Sequence, residues 1–130
     1  MKRILLICTV LLISAGSRSF AQTYGITLDP KTAFTVQVTN FDAFVAAGNI
    51  TSANKSMDTM MMMMDKQVEF SRRYMYDNHT GANPTLLAPA RKKYTDKTSI
   101  QNKIKGYRSN PTLNKTKIDT ECANFLPIWD

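Results

Sequence analysis

The longest regular pattern of apolar positions in the chain lies between residues 52 and 76. Met57, Met61, Met64, Val68 and Met75 are separated by four, three, four and seven residues, and Ser71 fills the intermediate place. This alternation of three and four places side chains along one stripe of an α-helix. The stripe is widened by Met60 and Met63, while the polar flank carries Asp58, Asp65, Lys66, Glu69, Arg72 and Arg73. The pattern predicts one long amphipathic helix over about residues 52–76.

The segment before this helix divides into two parts. β-branched and aromatic residues surround Asp29-Pro30 in "TYGITLDPKTAFTVQV", which predicts a short strand or extended arm with a turn at the proline. "TNFDAFVAAG" predicts a short helix capped by Thr39 or Asn40 and ended by Gly48.

The segment after the long helix is less regular. "DNHTGANP" ends the helix, because glycine and proline do not continue it easily. One or two short helices are expected between residues 85 and 107, followed by a polar, partly disordered stretch near residues 109–120. The apolar ending "CANFLPIWD" is expected to fold back onto the helices. The predicted fold class is mainly α: a small helical domain with one long amphipathic helix, a short N-terminal extended segment and an irregular basic C-terminal half.

The first 21 residues, "MKRILLICTVLLISAGSRSFA", have the pattern of a secretory signal peptide. A basic start is followed by an apolar stretch, and Ser19 and Ala21 place small residues at −3 and −1 of a cleavage site. The apolar stretch of about ten residues is shorter than the roughly 20 that a spanning helix needs, which disfavours a retained anchor. We therefore predict cleavage near Ala21, a secreted or periplasmic location, and a single domain over residues 22–130.

Cleavage changes the charge and the cysteine content. Removal of Lys2, Arg3 and Arg18 lowers the basic residues from 17 to 14 against 10 acidic ones, so the net charge falls from +7 to +4. Cys8 leaves with the signal peptide, and Cys122 is the one cysteine that remains. A lone cysteine in an oxidising compartment could form an intermolecular disulfide, or it could be a buried, inert thiol.

The methionine run, Met60 to Met64, allows three interpretations. Methionine is an unbranched side chain suited to packing in a core or against varied partners. Thioethers also bind Cu(I), and the first, fourth, fifth and eighth residues of the segment from Met57 to Met64 could converge on one ion; the third interpretation is chance repetition. Because the apolar surface reaches far round the helix, we expect a protein partner or self-association, with the partner-binding residues Met57, Met60, Met61, Met64 and Val68.

The segment from Lys66 to Lys117 is strongly basic, with 12 basic residues and three acidic ones. Tyrosines alternate with cations here, which is compatible with contacts to a polyanion. The candidate polyanion-binding residues are Arg91, Lys92, Lys93, Tyr94, Lys103, Lys105, Tyr107 and Arg108. Export makes nucleic acid an unlikely partner and favours an anionic envelope polymer or lipid surface. The alternative is a solvated basic face that keeps the protein soluble.

Catalytic patterns are absent from the sequence. His79 is the only histidine, and no nucleophile elbow, paired acid and base, phosphate loop, zinc spacing or calcium loop occurs. We expect no cofactor, no metal site and no enzymatic activity.

Two parts of the sequence resemble known groups of exported proteins. The signal peptide, with Lys2-Arg3 near its start and "FAQ" at the cleavage site, resembles those of exported proteins of Gram-negative Bacteroidetes-type bacteria. The order of signal peptide, "TYGITLDP", helix start and long helix over residues 1–76 resembles the layout of exported minor-pilus or TrbJ-like proteins of conjugal transfer machines, without a diagnostic motif. This layout implies a periplasmic component of a conjugation or secretion apparatus and assigns no functional residues. The sequence thus predicts an exported interaction or assembly protein of the cell envelope.

Overall fold

A computed structural model describes residues 28–79 and 84–130 of the chain. They form four helices, α1 (Pro30–Ala46), α2 (Ile50–His79), α3 (Pro84–Tyr107) and α4 (Lys115–Phe125), and a final 3₁₀ turn, Leu126–Ile128. No strand occurs in these two ranges, so the mainly α prediction is confirmed. None of the described helices is long and apolar enough to cross a membrane. The predicted signal peptide, Cys8 and residues 22–27 lie outside the described ranges.

Helix α1 begins earlier than the sequence pattern indicated. The Asp29 side chain accepts a hydrogen bond from the Thr32 main-chain nitrogen at 3.1 Å, and Pro30 occupies the first helical turn. An Asp-Pro pair is a helix start as well as a turn, because the aspartate caps free N–H groups and proline needs no N–H there. The extended arm predicted for residues after Pro30 is therefore wrong, and the helix predicted from Thr39 belongs to α1. Gly48 ends it as expected, with a φ of +70° that favours glycine.

Helices α1 and α3 pack on α2 from two sides. The short connection at residues 47–49 makes α1 antiparallel to α2. Helix α3 is also antiparallel to α2, since Arg108 pairs with Asp58 while Gln101 donates to Asp65 and Lys97 lies near Gln67. At 1.5 Å per residue, α1 is about 25 Å long and α2 about 45 Å. Helix α1 therefore flanks only about the first half of α2.

The C-terminal half is more regular than predicted. Helix α3 is one continuous helix of 24 residues that contains Pro89, where the sequence predicts one or two short helices. Residues 109–114 form a turn with Pro111 buried, and α4 begins at Lys115. The stretch near residues 109–120 therefore has defined structure, contrary to the predicted partial disorder. The difference arises because long-range packing stabilises α3 and α4. The composition of a short segment does not reveal such packing.

One hydrophobic core joins all four helices. Helix α1 contributes Phe34 and Phe41, α2 its methionines, α3 Ile100 and Ile104, and α4 Ile118, Cys122 and Phe125. The chain after α4 folds back as predicted, and Trp129 is only 4% exposed. Its ring lies 5.1 Å from that of Phe34 and 5.7 Å from that of Phe125. Trp129 therefore closes the core beside the start of α1.

Candidate interaction surface

The methionine stripe of α2 lies inside the protein. Met57, Met60 and Met64 are completely buried and Met61 is 8% exposed, all within the shared core. Val68, the fifth predicted partner-binding residue, is half-buried. The predicted methionine contact surface therefore needs correction. Two helices of the same chain, α1 and α3, cover this stripe. The four methionine sulfurs likewise lie in an apolar core, where they pack with aromatic and aliphatic side chains.

The predicted polyanion-binding residues do not form one surface. Lys103 pairs with Glu121 of α4 at 3.0 Å, whereas Lys105 lies 3.6 Å from Asp65 of α2. These two lysines are two residues apart, which places them on nearly opposite sides of α3. Arg108 pairs with Asp58, and Lys92 pairs with Asp96 at 2.5 Å.

The remaining members of this set are also dispersed. Tyr94 and Tyr107 are half-buried, and the Lys117 amine lies 5.6 Å from the centre of the Tyr107 ring. Lys93 donates to the main-chain oxygen of Asp130, while Arg91 belongs to none of the ion pairs among the described residues. Three of the six cations, Lys103, Lys105 and Arg108, pair with acidic residues of another helix, and the expected continuous polyanion-binding face is absent from the described part of the chain.

Cys122 is buried in the same core and is 1% exposed. Burial, followed by the nearby charges of Asp119, Asp42 and Glu121, raises the pKa of the thiol to about 12. The thiolate is the reactive form of cysteine, so the native thiol is unreactive. The predicted intermolecular disulfide at Cys122 is therefore incompatible with the folded state, and the alternative of a buried thiol describes it correctly.

Beyond Trp129, α2 and α3 continue without a third helix among the described residues. We call this part the distal hairpin: residues 68–79 of α2 and residues 84–92 of α3. Its inner boundary is marked by Asp130, whose carboxylate lies 3.3 Å from the Lys31 amine of α1 and whose main-chain oxygen accepts from Lys93 of α3. Only two of the described helices pack together past that level, so apolar side chains there are less covered by the described part of the chain.

Exposed aromatic side chains concentrate on the distal hairpin. Phe70 is 62% exposed, Tyr76 is 52% exposed and Tyr74 is 46% exposed, and Leu86 of α3 is 42% exposed. Phe70 is the most exposed aromatic residue of the described chain, and it is not part of the hydrophobic core. A group of large exposed apolar residues is typical of a surface that contacts another molecule.

One side of the hairpin continues the groove that holds Trp129. Gln67 faces Trp129: with its side-chain amide oriented to pair both groups, its nitrogen donates to the main-chain oxygen at 2.8 Å and its oxygen accepts from the indole nitrogen at 3.3 Å. Phe70 and Tyr74 follow at spacings of three and four residues, which places them on the same stripe of α2 as Gln67. The stripe is therefore covered at Gln67 and exposed at Phe70.

Helix α3 forms the other wall of this groove. The amine of Lys97 donates to the main-chain oxygen of Trp129 at 2.7 Å. Lys93, Ala90 and Leu86 precede Lys97 by four, seven and eleven residues, so they lie on its stripe. We define the distal groove by Phe70 and Tyr74 on α2 and by Leu86, Ala90 and Lys93 on α3.

The opposite side of the hairpin carries a small cavity of about 180 Å³. It is lined by Met75 and Tyr76 of α2 and by Leu87 and Arg91 of α3. The Arg72 guanidinium lies 5.5 Å from the centre of the Tyr76 ring, a cation–π contact that orients the tyrosine. Two sides of the hairpin thus combine aromatic and cationic groups.

Charge on the described chain is unevenly compensated. Residues 66–96 carry six basic and three acidic side chains. Glu69 bridges two of the cations, Arg72 at 2.7 Å and Arg73 at 2.8 Å, and these partners lower the pKa of its carboxyl group to about 2. The acidic residues Asp58, Asp65 and Asp42 pair with cations from the end of α3 and from α4. Positive charge therefore remains in excess on and beside the distal hairpin.

A second charged cluster joins α1 to α4 near the other end of the molecule. The Lys115 amine lies 2.7 Å from Asp42 and 2.6 Å from Asp119. Burial and the neighbouring Asp42 raise the pKa of Asp119, while the two carboxylates raise the pKa of Lys115. No group of three His, Cys, Asp or Glu side chains within the described residues is placed to hold a metal ion. This cluster connects two helices.

The key surface residues were not identified from the sequence. Phe70 lies six residues after Met64, off the apolar stripe, and its signal was a large aromatic residue among charged neighbours. Lys97 shares a helical spacing with Ile100 and Ile104, which could have indicated a buried lysine. Comparisons of the chain with family models, with curated proteins and with solved structures give no significant match.

Proposed function

We propose that the protein is a small exported binding or assembly protein of the cell envelope that acts through the distal hairpin. The observation that carries this proposal is the 62% exposure of Phe70 on the part of α2 that α1 does not reach. Because four methionines of α2 are already buried in the core, the packing of the described helices does not require Phe70. Contact through a long helix is the mode predicted from the sequence, with its position moved from the methionines to the distal hairpin.

Export is supported by the signal-peptide pattern of residues 1–21 and agrees with the absence of any helix among the described residues that could cross a membrane. A binding role is also supported by ion pairs that connect helices. Lys115 with Asp42, and Lys103 with Glu121, form such pairs.

The test is site-specific photocrosslinking in the producing cells. A photoreactive phenylalanine analogue replaces Phe70 in one strain and replaces Leu113, which is 78% exposed in the turn before α4, in a control strain. We expect a discrete adduct in the envelope fraction at position 70 and none at position 113. Equal adducts at both positions, or no adduct at position 70, would contradict the proposed binding surface.

A further inference from the structure

The distal groove has the geometry of a site for one more helix. Two antiparallel helices present their facing stripes, and the same pair of stripes already holds Trp129 at its inner end. Along the first half of α2, the space between the two walls is occupied by core side chains of α1 and α4 and by Trp129. In the second half no described residue occupies it, and Phe70 is exposed as a consequence. The distal groove therefore continues the α2–α3 surface that Trp129 covers at its inner end.

The small residues between the walls favour a close approach of such a helix. Ala90 is 5% exposed and Ser71, one residue after Phe70, is 3% exposed. Alanine and serine keep the floor between α2 and α3 low, while Phe70 and Leu86 rise on either side. Apolar side chains of a bound helix at spacings of three and four residues would pack between these walls.

Charge specifies the partner further. Lys66 precedes Phe70 by four residues, is exposed, and belongs to none of the ion pairs among the described residues. Lys93 stands at the inner end of the groove, where it donates to the main-chain oxygen of Asp130. Arg73 shares its partner Glu69 with Arg72. Carboxylates beside the apolar stripe of a bound helix would find cations on this rim.

We propose that the distal groove binds an acidic amphipathic helix of a partner protein. The helix lies along α2 and α3 beyond Trp129. Its apolar face covers Phe70 and Leu86, and its acidic flank faces Lys66 and Lys93. This inference rests on the proposed binding function and names the chemistry of the partner.

The probe for this groove is a labelled synthetic peptide of about 18 residues, long enough for five helical turns. It is built from Leu, Ala and Glu, with Leu at helical stripe positions. The binding partner is the mature full-length protein, and fluorescence anisotropy reports the dissociation constant. A peptide of the same composition with the stripe scrambled is the control ligand. We expect the striped peptide to bind more tightly than the scrambled one, and more weakly as salt concentration rises.

Two matched substitutions on α2 locate the site. Phe70→Ser removes the exposed wall of the groove and is expected to weaken peptide binding by about tenfold or more. Met62 is 51% exposed and lies about 12 Å from Phe70 along the axis of α2, outside the distal groove, so Met62→Ser is expected to change binding by less than about twofold. Circular dichroism checks that both variants remain folded. Equal binding of the striped and scrambled peptides, or unchanged binding by Phe70→Ser, would refute the proposal.

Two further outcomes identify a different occupant. Vesicles of phosphatidylglycerol in phosphatidylcholine, sedimented with the protein, test a lipid surface. Binding to vesicles that depends on Phe70, with no peptide binding, would replace the helix by a lipid surface. Peptide binding only after deletion of residues 22–27 would assign the groove to that segment of the chain itself. If vesicles are the occupant, a crosslink at position 70 would still support the binding function. If residues 22–27 are the occupant, only an adduct with another molecule would support that function, and absence of such an adduct would remove the function as well.

Discussion

The buried amine of Lys97 donates a hydrogen bond of 2.7 Å to the main-chain oxygen of Trp129, and this contact fixes the end of the chain to α3. Lys97 has no exposed surface. Burial, and then repulsion from Lys93, lowers the pKa of the Lys97 amine from 10.5 to about 8. The cation is retained in the interior because main-chain oxygen compensates part of its lost hydration.

Lys97 should make the protein more stable as pH rises above neutrality. The amine has a lower pKa when folded than when unfolded, so between pH 8 and 10.5 the unfolded chain binds more protons and unfolding becomes less favourable. We expect a rise on the order of 1–2 kcal/mol in the free energy of unfolding from pH 7 to 9.5 attributable to Lys97. Urea denaturation of the parent protein and of Lys97→Met at both pH values measures it as a difference.

The comparison with Lys97→Met is necessary because Cys122 opposes the effect. Its thiol pKa is raised from 9.0 to about 12 in the folded state, which lowers stability as pH rises through that window. Both proteins share this contribution, so it cancels in the difference. Parallel stability profiles for the two proteins would show that Lys97 does not titrate in this range.

Neighbouring methionines of α2 should respond very differently to truncation. Met64 is fully buried, so Met64→Ala should lower the free energy of unfolding by about 2–5 kcal/mol through lost burial and a cavity. Met62 is 51% exposed, and Met62→Ala should change stability by less than about 0.5 kcal/mol. Chemical denaturation of the two variants checks this. Similar losses for both residues would contradict the assignment of the methionine stripe to the core.

The helical pattern of α2 could be predicted because its apolar residues repeat at intervals of three and four. The same pattern identified Met57 and Met64 as one stripe, but it could not determine whether α1 and α3 or another protein covers them. That choice depends on how far α1 extends along α2, which was missed because Asp29-Pro30 was interpreted as a turn. Helix starts and turns use the same residues, and long-range packing decides between them.

The ion pairs made by the basic residues of α3 likewise could not be predicted from local sequence. Lys105 and Arg108 appeared as part of a basic run, but their acidic partners Asp65 and Asp58 are 40 and 50 residues away in sequence. A local count of charge cannot include partners brought together by the fold. Phe70 is the reverse case, since its exposure follows from the absence of a third helix beyond Trp129 among the described residues.

Cys122 should be unreactive in the native protein. With 1% exposure and a thiol pKa of about 12, it should react with a thiol reagent such as DTNB much more slowly than the same protein in denaturant. The absorbance of the released thiolate follows the reaction. Light scattering after size exclusion, with and without reductant, should give the same mass. A species that reductant dissociates would show that Cys122 becomes accessible and forms an intermolecular disulfide.

Lys115 should hold α1 and α4 together through charge. Lys115→Met leaves the carboxylates of Asp42 and Asp119 facing each other without a cation, which should lower the free energy of unfolding at pH 7 by about 1–3 kcal/mol. Because burial and the neighbouring Asp42 raise the pKa of Asp119, protonation of the Asp119 carboxyl group should shrink the loss as pH falls toward 4. Lys117→Met removes a lysine of α4 that no carboxylate among the described residues pairs with, so it controls for net charge. A loss that is equal at pH 7 and pH 4 would show that Lys115 acts through packing of its alkyl chain, and an equal loss in Lys117→Met would show that net charge alone is responsible.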